Sequence, residues 1–361
     1  MRPIHWLLAL LPLFACTGPS DDTGASTSFP TSHTATTTEV TSSTGGQISS
    51  STGQMSSEAG TSTGSSTGTT ETATGTETEG IDTRGPGFDC DALLEGPFEP
   101  IQVSSAFDGS EDIAFNGKGL LAGKRGDDLL LIDAMGVETV LAGGIPKAYG
   151  LRYRSDGTLI VALPGEGRLI EVSPSGDVSE LLTDLGGPNG VYVDTLDRVW
   201  ITEFGGNAVI RLGVDNTLTT IVQGADAAAA NGIVYDPERE LLFYTNYQAG
   251  LVRSVQFVGD EPGAPTVVTS IDGSPDGLVL DACGNLYVVD QGNSRLYRVL
   301  LDAEGAALGD PTLLAELTTN VANAQFGGAG FEPLALYLGG NPGVIYRLDL
   351  MVGGAPIPTV P

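Results

Sequence analysis

The sequence predicts an all-β protein, a six-bladed β-propeller of four-stranded blades. Three observations predict it. First, one phrase recurs: a polar residue and a glycine open an apolar strand, a turn follows, and a second apolar strand ends on a polar residue. Its clearest form is Pro275-Asp276-Gly277-Leu278-Val279-Leu280, then Gly284-Asn285-Leu286-Tyr287-Val288-Val289-Asp290. Second, the starts of the phrase lie 38 to 47 residues apart, the period of a propeller blade. Third, the runs between are short, apolar or β-branched, and bounded by Gly, Pro, Asp or Asn, with no helical period.

The other copies follow in order. Pro188-Asn189-Gly190-Val191 leads to Val199-Trp200-Ile201-Thr202, and Asn231-Gly232-Ile233-Val234 leads to Leu241-Leu242-Phe243-Tyr244-Thr245. Looser copies open at Glu111-Asp112-Ile113, at Tyr149-Gly150-Leu151 and at Asn323-Ala324-Gln325. The second repeat shows a full blade, with strands at 159–163, 168–172 and 178–182. The last repeat has strands at 334–338 and 344–348, then only a Gly- and Pro-rich tail. It lacks an outer strand. A lone strand at 98–103 precedes the first repeat, and Pro100-Ile101-Gln102-Val103 is expected to close the ring. Closure of this kind leaves no exposed sheet edge.

Before the propeller, expected over 87–361, the chain reads differently. Residues 1–16 carry Arg2 and a short apolar stretch from Trp6 to Phe14, the pattern of an export signal. That stretch is too short to span a bilayer. It ends in Leu13-Phe14-Ala15-Cys16, which resembles the lipobox of bacterial lipoproteins. The resemblance implies lipidation of Cys16 and, with Thr17 following, a place at the outer membrane. Residues 17–86 are mostly Ser, Thr and Gly and cannot bury enough apolar surface to fold, so a flexible tether is expected.

Charge narrows the partners. The chain holds 45 acidic and 16 basic residues, a formal net charge of −29. Nucleic-acid binding needs basic patches and is excluded. The membrane is expected to be met only through the N-terminal lipid. The propeller itself is expected to be monomeric, with a small molecule as its ligand or substrate. Of the three cysteines, Cys90 and Cys283 remain if Cys16 is lipidated. Export permits a disulfide between them. The sequence leaves open whether their backbones approach within bonding range.

The opening positions of the inner strands carry the chemistry. In a propeller they converge at one mouth of the central channel. Around the ring they read Glu111, Tyr149, Asn189, Asn231, Asp276 and Asn323. Asn-Gly and Asp-Gly are common turn formers, and each taken singly fits a turn better than a ligand. Their shared phase, and Glu111 among them, argue for a site. Carboxylates and amide oxygens suit a hard divalent cation, calcium above all. Nitrogen and sulfur donors are missing, which argues against zinc or copper.

These residues resemble the SMP-30/gluconolactonase family, which includes regucalcin and sugar lactonases. The resemblance spans roughly residues 105–350. It rests on Glu111 with Ile113 and Phe115, Asn189-Gly190, Asn231-Gly232, Pro275-Asp276-Gly277-Leu278 with Asp281, and Phe326-Gly327-Gly328. It implies a divalent metal held by Glu111, Asn189, Asn231 and Asp276, and a metal-assisted hydrolase of a lactone or related ester. Asp276 would serve as the catalytic base or nucleophile. Tyr149, Glu203 and Asn323 are expected at the channel mouth. Two departures count. The family's sugar lactonases carry Arg two residues before the third-blade Asn, where this chain has Gly187. The only histidines, His5 and His33, precede the propeller, so His-dependent mechanisms are excluded. Trp200-Ile201-Thr202-Glu203 is also similar to the virginiamycin-B-lyase and NHL propellers. The alternative is therefore a non-catalytic, surface-displayed binding or interaction propeller, with a structural metal or none.

Overall fold

The computed structural model describes residues 87–358. The expected signal segment with Cys16, the tether of 17–86 and both histidines lie outside the described residues. So do residues 359–361.

The described chain forms six antiparallel sheets, each the blade of a propeller. Blade 1 runs Ala114–Phe115, Leu120–Arg125, Asp128–Asp133 and Glu138–Ala142, innermost strand first. Blade 2 runs Leu151–Tyr153, Leu159–Leu163, Arg168–Val172 and Val178–Leu182; blade 3 runs Pro188–Val193, Val199–Glu203, Ala208–Leu212 and Leu218–Gln223. Blade 4 begins with Ala230–Asp236, Leu241–Asn246 and Leu251–Val258. Blade 5 has Pro275–Leu280, Leu286–Asp290, Arg295–Val299 and Thr312–Glu316. Blade 6 has Asn323–Phe326, Ala335–Gly339 and Ile345–Asp349, and its outer strand is Ile101–Ser104 from the start of the domain. Ring closure by the first strand is as the sequence predicts, although the strand begins at Ile101 rather than near Phe98.

Blade 4 departs from the four-stranded plan. Its third strand is long, and two partners share it: Thr266–Ser270 pairs with its first half and Glu261–Pro262 with its end. The turn at Gly259, in the left-handed region at φ 63°, folds this extra hairpin back.

Alternating apolar residues of neighbouring blades fill the seams between them. The seam between blades 3 and 4 stacks Trp200 on Tyr235 at 4.8 Å, with Arg198 5.1 Å from the Tyr235 ring centre. The seam between blades 6 and 1 is tied by Phe115 N–H, which donates to Gln325 Oε1 at 2.6 Å. At the channel's other end the C-terminal segment lies along blade 5. Ala355 N–H donates to the Leu280 carbonyl, and Ala282 N–H to the Gly353 carbonyl. Cys283, beside that segment, is joined to Cys90 by a disulfide that spans 193 residues of sequence. Both ends of the described chain are thus fastened to blade 5.

Candidate active site

Three inner strands share an irregularity at one place. In blade 3 the ladder shifts register between Pro188 and Val191, in blade 4 between Ala230 and Ile233, and in blade 5 between Pro275 and Leu278. Each bulge holds one of the expected ligands with its glycine: Asn189-Gly190, Asn231-Gly232, Asp276-Gly277. A bulge re-aims a side chain that a regular strand would send elsewhere. None of these glycines has a positive φ. They are not the turn formers their dipeptides suggest.

Close approach between blades is what requires them. A Cβ on Gly190 would overlap the carbonyl oxygen of Asn231, and one on Gly232 the carbonyl oxygen of Asp276. Gly150 stands in the same relation to Asn189. Two buried threonines complete the arrangement. Gly190 N–H donates to Thr202 Oγ1 at 2.8 Å, and that hydroxyl donates to the Asn231 carbonyl at 2.5 Å. Gly232 N–H donates to Thr245 Oγ1 at 2.8 Å, and Thr245 donates to the Asp276 carbonyl at 2.9 Å. Asn231 and Asp276 are therefore each fixed by the blade before, and Asn189 is closely approached by it.

A cavity of about 360 Å³ opens at this mouth. Glu111, Asn189, Asn231 and Asp276 line it together, with Tyr149 beside them. The structure brings these five expected residues into one place. It leaves two others out. Asn323 opens a strand whose ladder is regular, with no bulge to turn it inward, and its Oδ1 accepts the N–H of Ala324 at 2.9 Å. Glu203 ends the second strand of blade 3 and turns back to accept the Gly186 N–H at 2.6 Å. The mouth position expected of Glu203 belongs to the next residue, Phe204.

Phe204 belongs to a set the sequence reading missed. Pro164, Phe204, Tyr247 and Gln291 each follow directly on the second strand of blades 2, 3, 4 and 5, and all four line the cavity. Their common phase was the available signal. Tyr247 and Phe204 meet edge to face, ring centres 5.9 Å apart, and Tyr247 Oη donates to Gln291 Oε1 at 2.8 Å.

The electrostatics are unusual for a buried spot. Asp276 is 5% exposed, and its Oδ2 is buried with no hydrogen-bond partner. Burial, then the neighbouring Glu111 and Asp112, push its carboxyl well above the usual range. Burial and Asp112 likewise push Glu111 up to about 7, with Lys124 opposing. Asp112 lies behind the pair and is compensated within the protein: Arg152 Nη1 donates to it at 2.6 Å and Leu151 N–H at 3.0 Å. Glu111 has Lys124 alone opposing its shift and Asp276 has no cation beside it, and an uncompensated buried charge is costly.

That strain tests whether a metal fits. Two carboxylates and two amides offer only oxygen donors, the set a hard cation takes. A divalent cation would compensate both charges and give Asp276 Oδ2 its partner. Among the described residues no group of three or more His, Cys, Asp and Glu that could hold a metal ion gathers, so any cation here would rest on the two carboxylates and the amide oxygens together.

Comparison with known proteins agrees with this architecture. The model of the SMP-30/gluconolactonase/LRE-like region matches residues 207–337. A pentonolactonase from Haloferax volcanii is 27% identical over 236 residues, which cover 57% of this chain and 78% of that protein. Among solved structures, a gluconolactonase from Xanthomonas campestris superposes with a TM-score of 0.61 at 18% identity, covering 71% of this chain and 91% of the other. A calcium-binding regucalcin from Agrobacterium tumefaciens superposes with a TM-score of 0.59 at 18% identity, covering 73% and 98%. The two sequence matches support an SMP-30/gluconolactonase-like relationship. The structural likenesses show the shared six-bladed fold.

Proposed function

We propose that this chain is an SMP-30/gluconolactonase-like lactone hydrolase that works at the cavity with a divalent cation, calcium being the candidate. The observation that carries the reading is Asp276: a buried carboxyl with an orphaned oxygen, lining one cavity with Glu111, Asn189 and Asn231. The sequence similarity to a lactonase supports the substrate class.

Glu111, Asn189, Asn231 and Asp276 would hold the cation. When bound, it would polarise the acyl carbonyl and stabilise the oxyanion that develops there. The remaining chemistry falls to this chain's own groups. The cavity orients the lactone with its carbonyl toward the four oxygen donors. The Asp276 carboxylate accepts a proton from the attacking water as the new C–O bond forms. As the ring C–O bond breaks, that proton returns to the departing oxygen, leaving a hydroxy acid. Elemental analysis of residues 87–361, paired with a panel of lactones and esters, tests the proposal. A binding propeller with a structural ion would use the same ligands, and turnover separates the two.

The envelope location rests on sequence alone. Cys16 is proposed as a lipid anchor, and 17–86 as the tether beyond it. Cys16→Ser should move the protein from the membrane fraction to the soluble one, and an unchanged distribution would refute the anchor.

A further inference from the structure

The second ring of residues carries an inference that rests on the lactonase reading and deepens it. The cavity has two storeys of different chemistry. The inner-strand residues gather the oxygen donors at its floor. The residues following the second strands build a wall from Pro164 through Phe204 to Tyr247, and Gly187 and Gly205 complete it with bare backbone.

The glycines are there for a structural reason. Gly187 sits in the left-handed region at φ 80°, which side chains rarely adopt. A Cβ on Gly205 would come 2.9 Å from the Gly186 carbonyl oxygen, and one on Gly186 would come 2.9 Å from the Gly206 nitrogen. Blade 3 therefore offers the cavity a single large side chain, the phenyl ring of Phe204. Tyr247 braces that ring edge to face. The Tyr247 hydroxyl spends its proton on Gln291 Oε1.

Charge points the same way. No residue lining the cavity is Lys, Arg or His. The cation acting on Glu111, Lys124, is buried and donates to the Gly126 carbonyl at 2.9 Å. With a divalent cation set against Glu111 and Asp276, the floor carries no net charge. A phosphate or carboxylate on the substrate would enter half-buried surroundings with nothing to pair it, which is costly.

We propose that the Phe204–Tyr247 wall selects an uncharged lactone with a flat apolar face, such as an aryl-fused lactone, and rejects phosphorylated or carboxylate-bearing ones. Phe204 is the specificity-determining residue. The step itself is the hydrolysis already described, with the apolar face set against the wall.

The test compares the whole protein, loaded with calcium, with its Phe204→Ala and Phe204→Tyr variants. The substrates are dihydrocoumarin, γ-butyrolactone, which has no aryl face, and phosphogluconolactone. Phe204→Ala should cut kcat/KM for dihydrocoumarin about tenfold, mostly through KM, the worth of one aromatic contact. It should cost γ-butyrolactone much less, and Phe204→Tyr should restore dihydrocoumarin. Phosphogluconolactone should stay at the rate of buffer alone. Equal losses on both neutral lactones, or phosphogluconolactone handled as well as dihydrocoumarin, would overturn the inference. If the wild type turns over no lactone, the hydrolase reading fails and the wall is judged by binding. Calorimetry with the lactam analogue of dihydrocoumarin should then show binding that weakens about tenfold in Phe204→Ala. No binding to the wild type would overturn it.

Discussion

Gly232 lies against the backbone of Asp276 in the next blade, so closely that a Cβ on the glycine would overlap the aspartate's carbonyl oxygen. The same contact joins Gly190 to Asn231. The glycine of one blade thus sets the position of the next blade's ligand. Gly232→Ala should force the two inner strands apart. Overpacking of this kind costs about 2 kcal/mol, and Asp276 should move with it. Urea unfolding should show the lower stability, and calcium titration a weaker affinity. An alanine variant with unchanged stability would mean that the strands are free to adjust.

Thr245 makes the hydrogen-bonded half of the same link. Thr245→Val keeps the shape but strands the Gly232 N–H and removes the donor to Asp276. Leaving a buried amide unpaired costs about 1–3 kcal/mol. Thr245→Ser should recover most of that loss, because its hydroxyl can make both bonds. Thermal unfolding of the two variants separates a role in hydrogen bonding from one in packing, since packing alone would rank serine below valine.

How much of this was legible in the sequence follows from these contacts. The blade period, the inner-strand phase and the ring closure through Ile101–Ser104 could be read, because each rests on local apolar patterning and on length. Glu111, Asn189, Asn231 and Asp276 could be read because they repeat at one phase. The bulges could not: they show only as a register shift against a partner strand. Asn323 shares the phase without the bulge, so sequence alone placed it at the mouth. Asn-Gly suggests a turn, and only the neighbouring blade reveals a glycine kept small by contact. Glu203 missed by one residue, because adjacent residues leave a strand on opposite sides.

The buried carboxylates predict a dependence on pH. Burial holds Glu111 at about 7 against an ordinary 4.5, and Asp276 is raised as well. A folded-state value above the unfolded one favours folding while the group is protonated. In chelator, that contribution is complete below about pH 4.5 and is lost as the pH rises through about 7. The shift of Glu111 corresponds to about 3 kcal/mol. Melting temperature in chelator should therefore fall from pH 5 to pH 8 (roughly the window of this shift). Calcium should rescue the protein most at the alkaline end, and Glu111→Gln should flatten the slope. Equal slopes in Glu111→Gln and wild type would refute the assignment.

The most direct test of the account is lactone hydrolysis measured against free calcium, in the wild type and in Asp276→Asn. The substitution keeps the shape of Asp276 and one oxygen donor but removes its charge and its proton-accepting capacity. Wild-type activity should vanish in chelator and return with calcium. Asp276→Asn should stay on the order of 10² to 10⁴-fold below wild type even at saturating calcium, the loss usual for an acid–base group. Hydrolysis indifferent to chelator, or an Asp276→Asn variant within a few fold of wild type, would contradict the account.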